Sequence, residues 1–419
     1  MSRNRSSLTP REFAFSVVDQ LQQAGFTALW AGGCVRDQLM GSEPSDYDVA
    51  TSATPEQVRK LFGHKKTLAV GEQFGVIIVI GPKPVGNVEV ATFRSDGAYT
   101  DGRRPDSVVF STPQQDAQRR DFTINGMFYD PVAETLHDYV GGEQDLKQKQ
   151  IRAIGEAHQR IQEDKLRMLR AVRFATRFGF GLETSTSDAV RNDAAQIHAV
   201  SVERIVQELR KMFEHPARHH AYRQLVELGL WQQLFPMLPS HPEEYTRTQK
   251  LLEQTQIADW CLTFWWSLEP RSAHSPACEA LDLGRKWRLS NEETETLQWL
   301  SRNWGQLTGC ALQKVSLAQL KTVLASKHSS LLLEAMRVAA VVNADSEGMH
   351  DYEFAEQYRT QSTAEQLAPQ PLLTGQDLIQ AGFKPGPQFK QLLGDAYELQ
   401  LNEQFETKSS ALNWLASQT

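Results

Sequence analysis

Four cysteines in 419 residues, Cys34, Cys261, Cys278 and Cys310, make no CxxC pair and no His/Cys ligand spacing. That argues against a disulfide framework or a zinc site and fits a reducing compartment, so the chain reads as cytoplasmic. No run approaches the roughly 18–20 consecutive apolar residues of a membrane span. The start, MSRNRSSLTPREF, carries basic residues with no apolar stretch behind them, unlike a secretory signal. Excess positive charge is lacking too: 44 Lys and Arg stand against 51 Asp and Glu, a net charge of -7. The chain is therefore no bulk polyanion binder, and any RNA contact must come from local placement of arginine. Internal repeats and low-complexity tracts are also absent. What remains is ordinary globular protein, 40% hydrophobic and 23% charged, long enough for two to four domains.

Residues 10–24 carry Phe13, Phe15, Val17, Val18 and Leu21 at helical spacing. Ala28–Ala31 reads as a short buried strand broken by Gly32 and Gly33, after which Val35–Leu39 opens a helix. Asp46–Ala50 returns as a strand. Thr54-Pro55-Glu56 is a helix start, with an N-cap threonine, proline in the first turn and then an acid. Val76–Ile80 and Val88–Phe93 are β-branched and strand-like. From Glu156 the pattern turns to successive helices. Leu166, Leu169, Val172, Phe174 and Phe178 bury one side of the first long one, and Ile205, Leu209, Met212 and Phe213 do so for the next. The aromatic run Trp260–Trp266 reads as core, because stacking on bases usually uses isolated exposed rings. The pairs His137-Asp138 and His350-Asp351 lack a wider His/Asp cluster and read as surface pairs rather than a phosphohydrolase centre. The fold class is an α+β head with a mixed sheet followed by an all-helical remainder. Its division is an N-terminal helix (1–24), a head (25–140), a neck (141–215) and a helical body and tail (216–419).

The chemistry is concentrated in Gly32-Gly33-Cys34-Val35-Arg36-Asp37 and Asp46-Tyr47-Asp48. Carboxylates at i and i+2 on a strand share a face and repel each other unless a cation lies between them. Mg²⁺ accepts one or two protein carboxylates and leaves room for phosphate oxygens. Two such ions activate an attacking hydroxyl and stabilise leaving pyrophosphate. Paired glycines at a helix start let backbone N–H groups approach a phosphate, and Arg36 can add a charge-assisted contact. Glu89, in Val88-Glu89-Val90, has the setting of a third acid on a neighbouring strand. Arg119-Arg120-Asp121-Phe122-Thr123-Ile124-Asn125 offers groups for ribose and phosphates, or a surface salt-bridge cluster. Glu163-Asp164-Lys165-Leu166-Arg167 is expected on the first long helix, where Asp164 and Arg167 would share a face. Arg170, Arg173 and Arg177 continue that stripe, either as an RNA grip or as a brace.

In this order the blocks GGCVRDQLMG, DYDVATSATPEQV, EVATFR, RRDFTINGM, GGEQDL, IRAIG and EDKLRMLRAVRFA resemble those of the bacterial class II CCA-adding enzymes and the bacterial poly(A) polymerases. The resemblance runs from about residue 25 to 230, with a weaker echo at LTGQDL and KPGP. It implies a nucleotidyltransferase palm, neck, body and tail. It makes Asp46 and Asp48 the Mg²⁺ ligands, with Glu89 a third catalytic acid. It puts Gly32, Gly33 and Arg36 at the triphosphate, and the Arg119–Asp121 block with Asn125 at the nucleotide sugar. Asp164 and Arg167, with Arg170 and Arg173 beside them, would form the nucleotide-selecting face. Cytosine and adenine each pair an exocyclic amino donor with an unprotonated ring nitrogen. An aspartate accepts from the first and an arginine donates to the second. Uracil and guanine reverse both partners, which such a site rejects.

The activity implied is addition of CCA from CTP and ATP to the 3′ end of tRNA, with release of pyrophosphate. The same motifs serve A-only and poly(A)-adding relatives. Asp101-Gly102-Arg103-Arg104-Pro105-Asp106 looks like the mobile loop of members that add A, with Arg103, Arg104 and Asp106 able to act on the Asp164/Arg167 pair. The poly(A) polymerases carry a longer insertion there and often a basic C-terminal extension, and this chain has neither. CCA addition is therefore favoured over poly(A) addition. A small-molecule nucleotidyltransferase would share the paired acids but need no selecting helix or long helical body.

Overall fold

The computed structural model describes residues 8–71, 75–96, 108–236, 241–268 and 282–418. Arg103, Arg104 and Asp106 lie outside the described residues. Among the described residues no helix is long and apolar enough to cross a membrane. The chain divides into two compact units, Met1–Met212 with His220–Met237 and Phe213–His219 with Leu238–Thr419.

In the first unit, α1 (Pro10–Gln23) begins at Thr9, whose hydroxyl accepts from the Glu12 N–H while Glu12 accepts from the Thr9 N–H. The expected start at Thr54 works the same way for α3 (Pro55–Phe62), with Gln57 as the reciprocal partner. Between them lie β1 (Ala28–Ala31), α2 (Gly33–Leu39) and β2 (Asp48–Thr51). After α3 come β3 (Thr67–Gly71), β4 (Val76–Ile80), β5 (Asn87–Thr92) and a two-stranded ribbon of β6 (Arg94–Asp96) with β7 (Val108–Phe110). Next are α4 (Pro113–Gln118), β8 (Phe128–Asp130), β9 (Thr135–His137) and α5 (Gly142–Gln148). Seven of these strands form one sheet in the order β3-β4-β5-β2-β1-β8-β9. Only β2 and β5 pair in parallel within it; the other neighbours are antiparallel.

Strand alternation explains how this sheet is buried on both faces. Ala28, Trp30, Tyr47, Val49, Val88 and Val90 turn to one side and pack with Ala14, Val17, Val18 and Leu21 of α1 and Val58 of α3. Leu29, Ala31 and Ala50 turn to the other and pack with Phe93, Ala117 and Phe128. The second cluster is much the smaller, so that face is left only partly covered, and this is where the acids emerge. Phe15, counted with the buried stripe of α1 from its spacing, is instead exposed because that stripe runs through Ala14, Val17, Val18 and Leu21.

The helical part begins with α6 (Ala157–Glu163), α7 (Arg167–Phe178), α8 (Thr184–Asp193) and α9 (Val202–Phe213). In the second unit, Trp260–Leu268 is buried along its whole length, as expected of core. Trp265 and Trp266 each pack edge-on to Trp304. The LTGQDL echo forms a small cluster in which Leu373 and Leu378 meet Ala396, Ala411 and Leu415. Asp351 is no surface residue: it is 5% exposed and accepts the backbone N–H groups of Gly309 and Ala311. Asp138 likewise accepts four backbone N–H groups, Val140 to Glu143, where α5 begins. Both aspartates are taken up by turns of the main chain, as expected of structural caps.

Leu21 is fully buried between α1 and the sheet. Leu21→Ala is expected to lower unfolding free energy by about 2–5 kcal/mol, read from the midpoint of a denaturant titration at unchanged slope.

Candidate active site

The acids stand where β2 and β5 run side by side. Asp48 is the first residue of β2 and is directly opposite Glu89 of β5 in the parallel register. Tyr47, Val49, Val88 and Val90 point into the larger core, so Asp46, Asp48 and Glu89 project from the opposite, thinly covered face. Asp46 falls just outside the strand that the sequence predicts for it, yet the alternation of exposed and buried side chains continues through it. Although Asp48 keeps contact with solvent, partial withdrawal from water raises its pKa to about 6, with the Glu89 and Asp46 charges adding to the rise and Arg120 opposing it. Negative charge is therefore held together here beyond what its surroundings neutralise. A divalent cation bound to hard carboxylate oxygens is the chemistry that relieves such crowding. Among the described residues no three His, Cys, Asp or Glu side chains converge as a ready cation cage; one or two carboxylates suffice for Mg²⁺.

Gly32 shows why glycine precedes α2. Its φ is +69°, a conformation that favours glycine, and a Cβ there would stand 2.8 Å from Arg120 Nη1 and push that guanidinium aside. Its N–H is committed to the Met127 carbonyl at 3.1 Å. Arg120 in turn packs over the Phe128 ring, 4.9 Å from its centroid. Its Nε and Nη2 donate to Asp116 Oδ2 and its Nη1 to the Asn125 carbonyl. Arg119 Nε donates to the other Asp116 oxygen at 2.8 Å. Asp116 is 1% exposed; burial alone would raise its pKa, but the two arginines outweigh it and hold it low.

Several residues expected to touch ligand meet a different geometry. Arg36 is 4% exposed, and its guanidinium bonds Asp37 at 2.7 Å and the Asn125 side chain. It also lies over the Phe178 ring at 4.6 Å. In this arrangement Arg36 braces α2 against α7 instead of facing an open triphosphate site. Asn125 passes the connection on, donating from Nδ2 to Asp121 Oδ1 at 3.1 Å. Asp121 Oδ2 accepts from Arg170 Nε at 2.9 Å. Arg173 is 9% exposed, ion-paired to Glu208 and stacked at 4.0 Å on Phe174. Of the supposed basic stripe, only Arg177 is largely open, 3.7 Å from Asp37. Arg170 and Arg173 are each ion-paired to an acid of the fold, Asp121 and Glu208.

The expectation that Asp164 and Arg167 share the face of one helix is corrected. Glu163 ends α6, Asp164 adopts extended backbone (φ -146°, ψ 103°) and α7 starts only at Arg167. The break brings the Asp164 carbonyl onto the Arg167 N–H at 3.0 Å. The two side chains are held separately. Arg167 Nη1 donates to Glu163 Oε2 and the Arg160 carbonyl, and Nη2 donates to the Arg119 carbonyl. Asp164 receives the fork of Arg204, at 3.2 and 2.7 Å.

Asp116, Arg204 and Glu208 are the functional neighbours that sequence reasoning missed. Asp116 lies three and four residues before Arg119 and Arg120, a helical spacing visible in DAQRR. Arg204 and Glu208 are likewise one turn apart, but nothing local says that they reach residues about 40 and 35 positions away.

Asp121 gives this network a pH signature. Burial would raise its pKa, but Arg170, Asn125 and the Phe122 N–H together pull it from 3.8 to about 2. A depressed carboxylate contributes stability that is complete above its unfolded value and disappears as pH falls through its folded one. Stability should therefore fall between roughly pH 4 and pH 2. Asp121→Asn should be less stable at neutral pH and show a flatter profile across that window in acid-denaturation curves.

Residues 28–152 match the family profile described as "Poly A polymerase head domain", and residues 179–241 match "Probable RNA and SrmB- binding site of polymerase A". The CCA-adding enzyme of Levilactobacillus brevis is 33% identical over 391 residues, 92% of this chain and 93% of that protein. Poly(A) polymerase I of Haemophilus influenzae is 37% identical over 249 residues, 56% of this chain and 54% of its own. A crystal structure of the Bacillus stearothermophilus CCA-adding enzyme in complex with CTP aligns at 27% identity with a TM-score of 0.73, over 98% of this chain and 97% of that one. The acids at the head of a parallel strand pair, the helical remainder and these likenesses over nearly the whole length have one reading: the chain belongs to the CCA-adding enzyme and poly(A) polymerase family of nucleotidyltransferases.

Proposed function

We propose that this protein adds C, C and A to the 3′ end of tRNA without a nucleic-acid template, consuming CTP and ATP and releasing pyrophosphate. The observation that carries the proposal is the coexistence in one unit of the Asp46/Asp48/Glu89 acids and the Asp164/Arg167 pair. The first group belongs to nucleotidyl transfer, and the second is suited to cytosine and adenine. A CCA-adding enzyme of Pediococcus pentosaceus, 33% identical over 96% of this chain, supports the assignment.

Asp46 and Asp48 would hold Mg²⁺, which supplies charge neutralisation and a more acidic attacking hydroxyl when bound. Glu89 adds to the field that favours cation binding. Arg120 lies within electrostatic reach of Asp48 and against Gly32, where its charge can favour triphosphate. Asp164 accepts the exocyclic amino group of cytosine or adenine, and Arg167 donates to the unprotonated ring nitrogen. A uracil or guanine would set donor against donor and acceptor against acceptor, a mismatch that leaves polar groups unpaired. The helical region from residue 216 onward is assigned to tRNA, and the reaction to the cytoplasm, in keeping with the buried thiols Cys34, Cys261 and Cys310.

Poly(A) addition is the second reading, favoured by the 37% identity to the Haemophilus poly(A) polymerase over 249 residues. Purified protein given Mg²⁺, each NTP and three RNAs separates the readings. CCA addition requires C on a tRNA lacking CCA, A on a tRNA ending in CC, and then arrest. Long A tails on an unrelated RNA would overturn it. In the same assay, Asp48→Asn and Asp46→Asn should each cut C incorporation by about 10²–10³-fold or more, the scale for loss of an electrostatic stabiliser of developing charge. Near-normal turnover in either variant would remove the paired acids from the mechanism.

A further inference from the structure

Asp164 belongs to neither flanking helix: α6 stops before it and α7 starts three residues after it. Helical packing therefore does not set its carboxylate, and a side chain in an extended link is free to change rotamer unless something holds it. Two groups do so. The Leu166 N–H donates to Oδ1 at 3.0 Å. Arg204, the third residue of α9, closes a bidentate fork on the carboxylate, Nη1 to Oδ1 at 3.2 Å and Nη2 to Oδ2 at 2.7 Å. This is the planar geometry that arginine supplies and lysine cannot. The Arg204 side chain is 21% exposed and that of Asp164 16%, so the pair is sheltered from water but not sealed away from a ligand.

A hydrogen-bond inventory gives the pair a consequence. A carboxylate offers about four acceptor positions, two on each oxygen. Leu166 and Arg204 Nη1 fill both positions on Oδ1, and Arg204 Nη2 fills one on Oδ2. One acceptor position is left. Arg167 is committed in the same manner: Glu163, the Arg160 carbonyl and the Arg119 carbonyl take three of its five N–H groups, leaving two donors. One acceptor on Asp164 and two donors on Arg167 are the group types that an amino group next to an unprotonated ring nitrogen requires. One turn further along α9, Glu208 holds Arg173 of α7, so the helix that carries Arg204 is itself tied to the helix that carries Arg167.

We propose that Arg204 is a positioning residue for base selection, fixing Asp164 so that a single acceptor faces the incoming nucleotide. The inference rests on the reading of Asp164 and Arg167 as the base-selecting pair. Without the fork, Asp164 can turn aside when a base presents a carbonyl, and the penalty that excludes uracil falls. Arg204 need not touch the nucleotide to do this.

The test measures kcat/KM for CTP and for UTP on a tRNA lacking CCA, with thermal melting recorded alongside, in wild type, Arg204→Met and Arg204→Lys. Arg204→Met should lower the CTP:UTP ratio by about tenfold, the scale of one well-placed hydrogen bond. Arg204→Lys retains the charge but not the fork and should fall between the two. In an Asp164→Ala background, Arg204→Met should leave the ratio unchanged, since there is no carboxylate to position. Should Arg204→Met fail to fold, the lysine variant decides. A folded Arg204→Met with the wild-type ratio, a lysine variant with the wild-type ratio, or an equal loss in the Asp164→Ala background would each overturn the inference. Wild-type protein that adds no C to tRNA would instead overturn the function proposed above, and this inference with it.

Discussion

The carboxylate of Asp121 is the charge on which the arrangement of the head and the first long helix depends. It lies in a chain of contacts that runs from Arg36 on α2 through Asn125 to Asp121 and on to Arg170 on α7. Both ends of the chain also stack on rings of α7: Arg36 over Phe178, and Arg170 over Phe174. A lone buried carboxylate would be costly, and so would a lone buried guanidinium. Together they are tolerable only while the partners hold register, so the network selects one placement of α7 against the sheet.

The same pairing rule governs nearly every charge around the site. Asp116 gathers Arg119 and Arg120, Glu163 takes Arg167, Glu208 takes Arg173, and Arg204 takes Asp164. The paired acids are the exception. Asp48 and Glu89 sit opposite each other on parallel strands, and Asp46, two residues before Asp48, is exposed like it. The resulting rise in the pKa of Asp48 marks the place where negative charge is left for something other than protein to balance. The pairing of these neighbouring charges sets the imbalance at Asp48 apart from the structural networks around it, which also perturb titration.

Much of the head was legible in the sequence because its signals are local. Capping residues at Thr54, β-branched runs at Val76–Ile80 and Val88–Phe93, and the glycines before α2 each act within a few positions. The spacing of Asp46 and Asp48 put them on one face before any partner strand was known, and Glu89 followed from its flanking valines. The tryptophan-rich helix was recognisable as core from its unbroken hydrophobicity. The break at Asp164 was not legible: leucine and arginine periodicity runs straight through EDKLRMLRAVRFA, and no glycine or proline announces a stop.

The sequence by itself thus determined that Asp46 and Asp48 share one face, the burial of the strands and the change from sheet to helix. These follow from backbone periodicity and from side-chain propensity, which act over short distances. Tertiary structure alone decided how each arginine is used. A guanidinium can bind phosphate, base, ring or carboxylate equally well, and the choice is made by whichever acid the fold brings within reach. For Arg36, Arg170 and Arg173 that acid or its relay lies 1, 49 and 35 residues away in sequence, and only at Arg36 is it a chain neighbour.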